Sequence, residues 1–164
     1  MILSPDLLMI VKGSYDWNPD RLYWAWRCVM AELIKSEGPI VFMVGLPGAG
    51  KTTWIAQNQQ PGVVYLDATL SRRRERRDLL RQILGPSDFS CNPPARLGRI
   101  VTAVYIDTPL GICLERNAQR PPNRQVPEKS IRAMARSLAA VPPSVEEGFY
   151  DMLQIKTPAI PTGE

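Results

Sequence analysis

The sequence predicts an α/β fold with a five-stranded parallel β-sheet and helices on both faces. Apolar, β-branched runs of strand length at residues 40–44, 63–66 and 100–106 alternate with segments whose apolar residues recur at helical spacing. The run at 40–44 is continuously apolar, which is typical of a strand buried on both faces of a parallel sheet. A chain of 164 residues is long enough for one core, so we expect a single domain over residues 1–164.

The N-terminal elements are a short strand and a long helix. Ile2–Leu3 is a short apolar segment that Ser4-Pro5-Asp6 ends. Asn18-Pro19 has the pattern of an N-cap followed by proline at the first helical position. Apolar residues follow at helical spacing until Gly38-Pro39, where we expect the helix to stop.

The remaining elements alternate along the chain. The strand at 40–44 enters a glycine-rich turn and a helix that starts near Lys51, and the strand at 63–66 ends at Asp67. We then expect a helix over 71–84, a loop with Pro86, Pro93 and Pro94, a strand over 100–106, a helix over 110–119, a helix from Pro127 to about 140 and a last strand over 152–155.

Composition limits the possible functions. No apolar run is long enough to span a bilayer and no secretion signal is evident, so we expect a cytoplasmic protein. The chain has no histidine, which excludes a Ser-His-Asp triad and leaves carboxylates, Lys, Arg and metal for any catalysis. Its three cysteines lack metal-ligand spacing and are expected to be reduced thiols. The net charge of +4 suits an anionic partner.

The strongest motif is a phosphate-binding loop after the strand at 40–44. Gly45-Leu-Pro-Gly-Ala-Gly50-Lys51-Thr52 fits the pattern G-x-x-x-x-G-K-[ST] in full. Glycines let backbone N–H groups turn inward around phosphates, and the N-terminus of the next helix adds positive potential. Predicted contacts to the nucleotide, ATP or GTP, come from Gly45, Pro47, Gly48, Ala49, Gly50, Lys51, Thr52 and Thr53.

A magnesium site is predicted beside this loop. The Thr52 hydroxyl is placed to bind Mg²⁺, and Asp67 ends the second strand, where a Walker B carboxylate holds the metal. The metal residues are therefore Thr52 and Asp67. Together with the loop they indicate a P-loop NTPase or kinase fold.

Several further segments resemble the polynucleotide 5′-hydroxyl kinase family over about 100 residues, from residue 40 to 150. Val64-Tyr-Leu-Asp67-Ala-Thr-Leu-Ser-Arg-Arg-Arg-Glu-Arg-Arg77 is similar to the family's "DATN…RR" stretch. Val104-Tyr-Ile-Asp-Thr-Pro109, Glu115-Arg116-Asn117-Ala-Gln-Arg120 and residues 126–132 resemble its fourth strand and its helical lid, which we expect at about 110–140. The resemblance implies that Arg120 touches the transferred phosphoryl group, and that Arg116 and Arg124 contact nucleotide or phosphate.

The resemblance also implies a catalytic aspartate, which the family carries on a strand and helix between the P-loop helix and the DATN strand. Only residues 57–62 lie in that interval here, which is too short for another strand and helix. The family's second strand and helix resemble Ile2-Leu-Ser4-Pro5-Asp6 and the segment from Tyr15 to Arg27. We therefore predict a circularly permuted order in which the strand-two unit is N-terminal and Asp6 is the catalytic base. Ile2–Leu3 should then pair in parallel with the strand at 63–66, at the sheet edge. The alternative is that Ser4-Pro5-Asp6 only terminates a strand.

Two positions depart from the family pattern on the acceptor side. The family's arginine three residues after the aspartate is Met9 here, so Lys12 or Arg21 would have to contact the acceptor phosphate, and the asparagine of DATN is Leu70. Six arginines crowd the helix after Asp67, and they form either a solvated face or phosphate contacts along a nucleic acid. They are Arg72, Arg73, Arg74, Arg76, Arg77 and Arg81.

The resemblance predicts an enzyme, a polynucleotide 5′-hydroxyl kinase. It would transfer the γ-phosphoryl of ATP or GTP, with Mg²⁺, to the 5′-hydroxyl end of RNA or DNA in end repair. The catalytic residues would be Asp6, Lys51 and Arg120. Two alternatives stay open: a kinase of a small-molecule acceptor, similar to nucleoside kinases or zeta toxin, and a nucleotide-binding switch without phosphoryl transfer.

Overall fold

The fold centres on a five-stranded sheet, seen in a computed structural model that describes residues 1–11, 14–15, 18–85 and 99–157. Its strands are β1 (Ile2–Leu3), β4 (Ile40–Val44), β5 (Val64–Asp67), β6 (Val101–Asp107) and β7 (Met152–Lys156). Every strand pairing in the sheet is parallel, and the strand order is β1-β5-β4-β6-β7. The α/β prediction is therefore confirmed.

The α-helices of the described residues lie before, between and after the strands. They are α1 (Pro5–Leu8), α2 (Pro19–Lys35), α3 (Lys51–Asn58), α4 (Arg73–Leu84), α5 (Leu110–Ala118) and α6 (Glu128–Ala140). Helix α2 contacts both α1 and α4, and α5 contacts α6. The start of α2 follows local chemistry: the Asn18 side chain accepts a hydrogen bond from the backbone N–H of Asp20 at 2.9 Å, with proline next in the chain.

The N-terminal strand lies where the sequence predicted it. β1 pairs in parallel with β5, with Ile2 opposite Tyr65 and Leu3 opposite Leu66, at one edge of the sheet. That this order is permuted relative to polynucleotide kinases remains a prediction. Two features were not foreseen: the four-residue helix α1, and an antiparallel hairpin of β2 (Ile10–Val11) with β3 (Ser14–Tyr15).

Most element boundaries agree with the predicted ones within two residues. The largest shift is in α4, which begins at Arg73 rather than at Ser71. The Glu75 carboxylate accepts a hydrogen bond from the backbone N–H of Arg72 at 3.3 Å and fixes Arg72 as the N-cap. Ser71 is instead buried in the loop between β5 and α4. The predicted proline loop, the cysteine Cys91 and Lys12 lie outside the described residues.

One continuous core covers the sheet. Its members include the β4 residues Phe42 and Met43, and the Phe42 ring meets the Phe149 ring edge-on with centroids 5.6 Å apart. Cys113 is buried, and burial raises the pKa of its thiol, whereas Cys28 is half-buried. Among the described residues, no helix is both long and apolar enough to cross a membrane.

An ion pair is also fully buried in the interior. The guanidinium of Arg76 in α4 donates to both carboxylate oxygens of Glu147 at 2.6 Å, and neither side chain is exposed. The same guanidinium donates to the carbonyl oxygens of Leu70 at 3.0 Å and Val141 at 3.1 Å. The prediction that Arg76 belongs to a solvated or nucleic-acid-binding face is therefore wrong. Instead, the hydrogen bonds of its guanidinium connect α4 to the segment that follows α6.

Candidate active site

The phosphate-binding loop joins β4 to α3 and is shaped by close backbone contacts. Gly48 has φ +85°, and a Cβ there would come within 2.6 Å of the carbonyl oxygen of Cys113 in α5. Gly45 has φ +151°, and a Cβ there would lie 2.8 Å from the carbonyl oxygen of Ile106 in β6. Side chains at these two positions would push the loop away from the neighbouring strand and helix, so glycine is required there.

Two threonines outside the motif hold the loop through hydrogen bonds at the carboxyl ends of the strands. The hydroxyl of buried Thr108, just after β6, donates to the carbonyl of Ala49 at 2.9 Å, and lies 2.8 Å from the Thr157 hydroxyl. These contacts join the loop to the carboxyl ends of β6 and β7. The sequence analysis assigned these threonines no role; the only signal was that each lies two residues beyond the end of a predicted strand.

Lys51 is the first residue of α3 and points back over the loop. Its Nζ donates to the carbonyl oxygens of Gly45 at 2.9 Å and Leu46 at 3.1 Å. The ammonium is thus held at the mouth of the loop by two hydrogen bonds, in a position to exchange them for phosphate oxygens.

The pKa of Lys51 reflects the charges around it. Burial is the largest influence and lowers this pKa below its ordinary value; the carboxylates of Asp67 and Asp6 raise it, and the guanidinium of Arg120 lowers it. All three charged side chains therefore lie within electrostatic reach of one ammonium. Phosphate oxygens bound at the loop would favour the charged form of Lys51.

Thr52 and Asp67 meet at the end of the sheet. The Thr52 hydroxyl donates to Oδ2 of Asp67, which ends β5, at 2.6 Å. Both side chains offer oxygen, the donor that Mg²⁺ prefers, and Mg²⁺ is usually bound by one or two carboxylates with substrate phosphates and water. Among the described residues no cluster of three His, Cys, Asp or Glu side chains could hold a metal. The pair therefore fits a nucleotide-bound Mg²⁺ rather than an ion held by protein alone.

The lid contributes arginines to the other side of the loop. Arg116 in α5 donates to the carbonyl of Gly48 at 3.2 Å. A cavity of about 210 Å³ opens between the loop and the lid, and it is lined by Gly48, Gly50, Lys51, Thr52, Arg116 and Arg120. A pocket bordered by three cationic side chains and a helix N-terminus suits the phosphates of a nucleotide.

Asn117 and Gln125 fix the lid loop that carries Arg120. Asn117 is buried, and its side-chain amide exchanges two hydrogen bonds with the backbone of Val126, at 2.9 and 3.0 Å. Gln125 Nε2 donates to the carbonyls of Ala118 at 3.0 Å and Arg120 at 2.8 Å. These side chains position Arg120, and the sequence analysis assigned neither of them such a role.

Asp6, near the N-terminus of the chain, borders the same site. It lies in the first turn of α1, directly after the edge strand β1. A cavity of about 490 Å³, here called the Asp6–Lys51 cavity, brings it together with the predicted residues of the loop and lid. Those lining it are Asp6, Pro47, Lys51, Thr52, Asp67, Arg120 and Arg124.

Three predicted nucleotide contacts do not line either cavity. Ala49 is buried and contributes its carbonyl to Thr108, Gly45 contributes its carbonyl to Lys51, and Thr53 is exposed on the first turn of α3. None of the three residues presents a side chain to either cavity, so any contact to phosphate would be through the backbone.

Both departures from the family pattern are buried apolar residues. Met9 is 1% exposed and Leu70 is 4% exposed, so neither can contact an acceptor phosphate as a charged side chain would. Leu70 has φ +46°, and it is the one non-glycine residue of the described chain with positive φ. Asparagine adopts this left-handed conformation more readily than leucine, and the bond from Arg76 to the Leu70 carbonyl holds the leucine there. Arg21, the other residue considered for the acceptor phosphate, donates to the Leu8 carbonyl at 3.1 Å.

Comparison with known proteins gives one family. A family model described as an AAA domain matches residues 56–141, from within α3 to the residue after α6. The match covers more than half of the chain. The chain belongs to this AAA domain family. No curated protein matches it.

Membership of this AAA domain family agrees with the geometry of the site. The family is P-loop and kinase-like, which implies nucleotide binding and, usually, Mg²⁺. The phosphate-binding loop itself precedes the matched residues, whereas the match contains Asp67, Arg116, Arg120 and Arg124. The sequence motif therefore identifies the phosphate-binding loop, and the family match independently identifies the lid.

Proposed function

We propose that this chain is a polynucleotide 5′-hydroxyl kinase that uses ATP or GTP with Mg²⁺ and acts in the repair of RNA or DNA ends. The observation that carries the proposal is the Asp6–Lys51 cavity, which Asp6 lines together with the loop lysine, the Thr52–Asp67 pair and the lid arginine. A nucleotide-binding switch needs no carboxylate there, whereas a kinase of a hydroxyl group does.

The proposed reaction assigns each residue one task. Asp6 orients the acceptor hydroxyl and takes its proton while the acceptor oxygen bonds to the γ-phosphorus. The bond from the γ-phosphorus to the bridging oxygen breaks, and the nucleoside diphosphate leaves. Lys51 and Arg120 stabilise the charge on the transferred phosphoryl oxygens. Mg²⁺, held at Thr52 and Asp67, would neutralise charge on the nucleotide phosphates.

The acceptor side supports a second candidate, a kinase of a small neutral acceptor such as a nucleoside. A cavity of about 470 Å³, here called the Trp26 cavity, continues from Asp6 between α2 and the loop after β5. Its described lining combines apolar side chains with three carboxylates and has no lysine or arginine. The apolar side chains include Leu22, Trp26, Leu79 and Met134, and the carboxylates are Asp6, Glu75 and Asp78. Small-ligand sites are typically cavities of about 300–1,000 Å³ with a mostly apolar lining and a few polar groups. It suits a nucleoside, whether free or at the end of a strand.

The test is transfer of labelled phosphate from ATP or GTP to a panel of acceptors, comparing the wild type with Asp6→Asn. The acceptors are 5′-hydroxyl RNA and DNA oligonucleotides and free nucleosides. We expect Asp6→Asn to lower transfer by about 10²- to 10⁴-fold, since a positioned general base contributes that much, while nucleotide affinity stays unchanged. Asp20→Asn, an exposed aspartate in the first turn of α2, is the matched control.

Three outcomes separate the candidates. Transfer to oligonucleotides that depends on Asp6 supports the proposed function. Transfer to nucleosides alone favours the small-acceptor kinase. Normal transfer in Asp6→Asn would mean that Asp6 is not the base, and the assigned mechanism would have to be abandoned.

A further inference from the structure

An open groove runs along α2 away from the Asp6–Lys51 cavity. The Trp26 cavity shares Asp6 and Leu22 with the Asp6–Lys51 cavity. Beyond it lies a third cavity of about 530 Å³, here called the Tyr23 cavity, which shares Trp26 and Leu79 with the Trp26 cavity. The three cavities are therefore consecutive, and a chain-like ligand whose end lies at Asp6 would pass Trp26 and enter the Tyr23 cavity.

The Tyr23 cavity differs from the Trp26 cavity in its chemistry. Tyr23 is 66% exposed, and the guanidinium of Arg27 lies 5.9 Å from the centroid of its ring. Both side chains line the cavity, next to Met30 and Ile34. An exposed aromatic ring beside an arginine is the combination that proteins use to stack a base and hold the adjoining phosphate of a single strand.

The carboxylates on the opposite wall of the groove are paired with arginines. Glu75 and Asp78 of α4 line the Trp26 cavity, and nearby guanidinium groups lie 3.5–3.6 Å from their carboxylates. These arginines are exposed and do not line the cavity, so they offset the carboxylate charges only in part. They are Arg72, Arg74 and Arg81. A phosphate is therefore better placed in the Tyr23 cavity, whose described lining includes Arg27 and no carboxylate.

We propose that the Tyr23 cavity binds the second nucleotide of a single-stranded acceptor, with a base stacked on Tyr23 and a phosphate on Arg27. The inference rests on the proposed function and extends it: the terminal nucleoside occupies the Trp26 cavity, and the strand leaves along α2. The groove thereby selects single-stranded ends of two or more nucleotides over free nucleosides.

The experiment measures transfer and binding with acceptors of increasing length. The acceptors are a free nucleoside, a dinucleoside monophosphate with a 5′-hydroxyl and a 5′-hydroxyl decanucleotide. In the wild type we expect KM to fall about tenfold from the nucleoside to the dinucleoside monophosphate, the effect of one stacked base. Tyr23→Ala and Arg27→Ala should each reduce that gain and leave KM for the nucleoside and for ATP unchanged.

Matched variants separate stacking, charge and folding. Tyr23→Phe keeps the ring and should bind like the wild type. Trp24→Ala removes an adjacent aromatic residue that is 50% exposed and does not line the groove, and should also be without effect. Arg27→Ala should reduce the slope of log Kd against log salt by about 0.7, the value for one phosphate contact on a single strand, whereas Arg27→Lys should keep that slope. Thermal unfolding of each variant checks that the fold is intact.

Binding of a labelled decanucleotide without Mg²⁺ keeps this inference separable from the proposed function. Oligonucleotide binding that weakens in Tyr23→Ala and Arg27→Ala supports the inference, even if no acceptor is phosphorylated and the proposed function fails. Transfer to oligonucleotides with the same KM at every length and in every variant overturns the inference and leaves the proposed function standing. Absence of oligonucleotide binding to the wild type overturns the inference as well.

Discussion

The donor side of the site, formed by the loop and lid, is built differently from the acceptor side between α1, α2 and α4. On the donor side the important atoms belong to the backbone: Gly48 lies against the carbonyl of Cys113, and Lys51 bonds two loop carbonyls. On the acceptor side they belong to side chains such as Asp6 and Trp26, which come from separate segments and leave an open groove.

This difference determines what substitutions can do on each side. A backbone cradle requires a fixed spacing of glycines, so it tolerates little variation. A groove of side chains can change its acceptor by the exchange of single residues. Acceptor specificity is therefore expected to depend on the side chains of the acceptor side, and phosphate binding on the backbone of the donor side.

The largest effect is expected from Lys51→Ala, on the donor side. Removing the ammonium leaves Arg120 and Arg116 as the cationic side chains of the phosphate cavity, and it removes the hydrogen bonds to the carbonyls of Gly45 and Leu46. We expect phosphoryl transfer to every acceptor to be abolished, measured with labelled ATP or GTP. Lys35→Ala, an exposed lysine paired with Glu32, is the control. Near-normal transfer in Lys51→Ala would contradict the kinase assignment.

A smaller effect is expected from Arg120→Ala in the lid. If the guanidinium acts on the transferred phosphoryl group, kcat should fall on the order of 10³-fold, as for an arginine finger supplied in cis. KM for the nucleotide should change little. Arg132→Ala, on the exposed face of α6 where Arg132 pairs with Glu128, should retain activity. A rise in nucleotide KM alone would make Arg120 a ground-state binder.

The smallest effect is expected from Arg116→Ala, which sharpens the comparison between the two sides. Arg116 donates to the Gly48 carbonyl and borders the phosphate cavity, so its loss removes one charged hydrogen bond from the loop. We expect nucleotide KM to rise about three- to tenfold, with kcat and acceptor KM unchanged. Steady-state kinetics with each substrate varied in turn measure this; a change in acceptor KM would show that the two sides are coupled.

The sequence predicted where the donor-side residues lie, because its signals are local. Glycine spacing indicates the loop, and an apolar strand that ends in a carboxylate places Asp67 beside Thr52. That these residues bind nucleotide and Mg²⁺ stays a prediction. The pairing of β1 with β5 was also predicted, since a missing strand had to come from elsewhere in the chain, and the sheet order confirms it.

Features that depend on distant contacts could not be predicted. Arg76 lies in a run of arginines whose local pattern predicts a solvated helix face. Its partner Glu147 is 71 residues further along the chain. The groove is formed by exposed residues of α2 facing α4, and a helical pattern does not tell which exposed residues line a cavity. The short helix α1, which places Asp6 in its first turn, is too brief to give a periodic signal.

The buried pair of Arg76 and Glu147 restricts how this sequence can drift over evolutionary time. Replacing either residue alone leaves an uncompensated charge inside the protein, which costs about 3–5 kcal/mol, a large part of the total stability of about 5–15 kcal/mol typical of a domain. Replacing both by apolar residues of similar volume can be neutral. The two acceptable states are therefore separated by a poorly folded single mutant, so descendants of this chain should keep both residues or exchange both together.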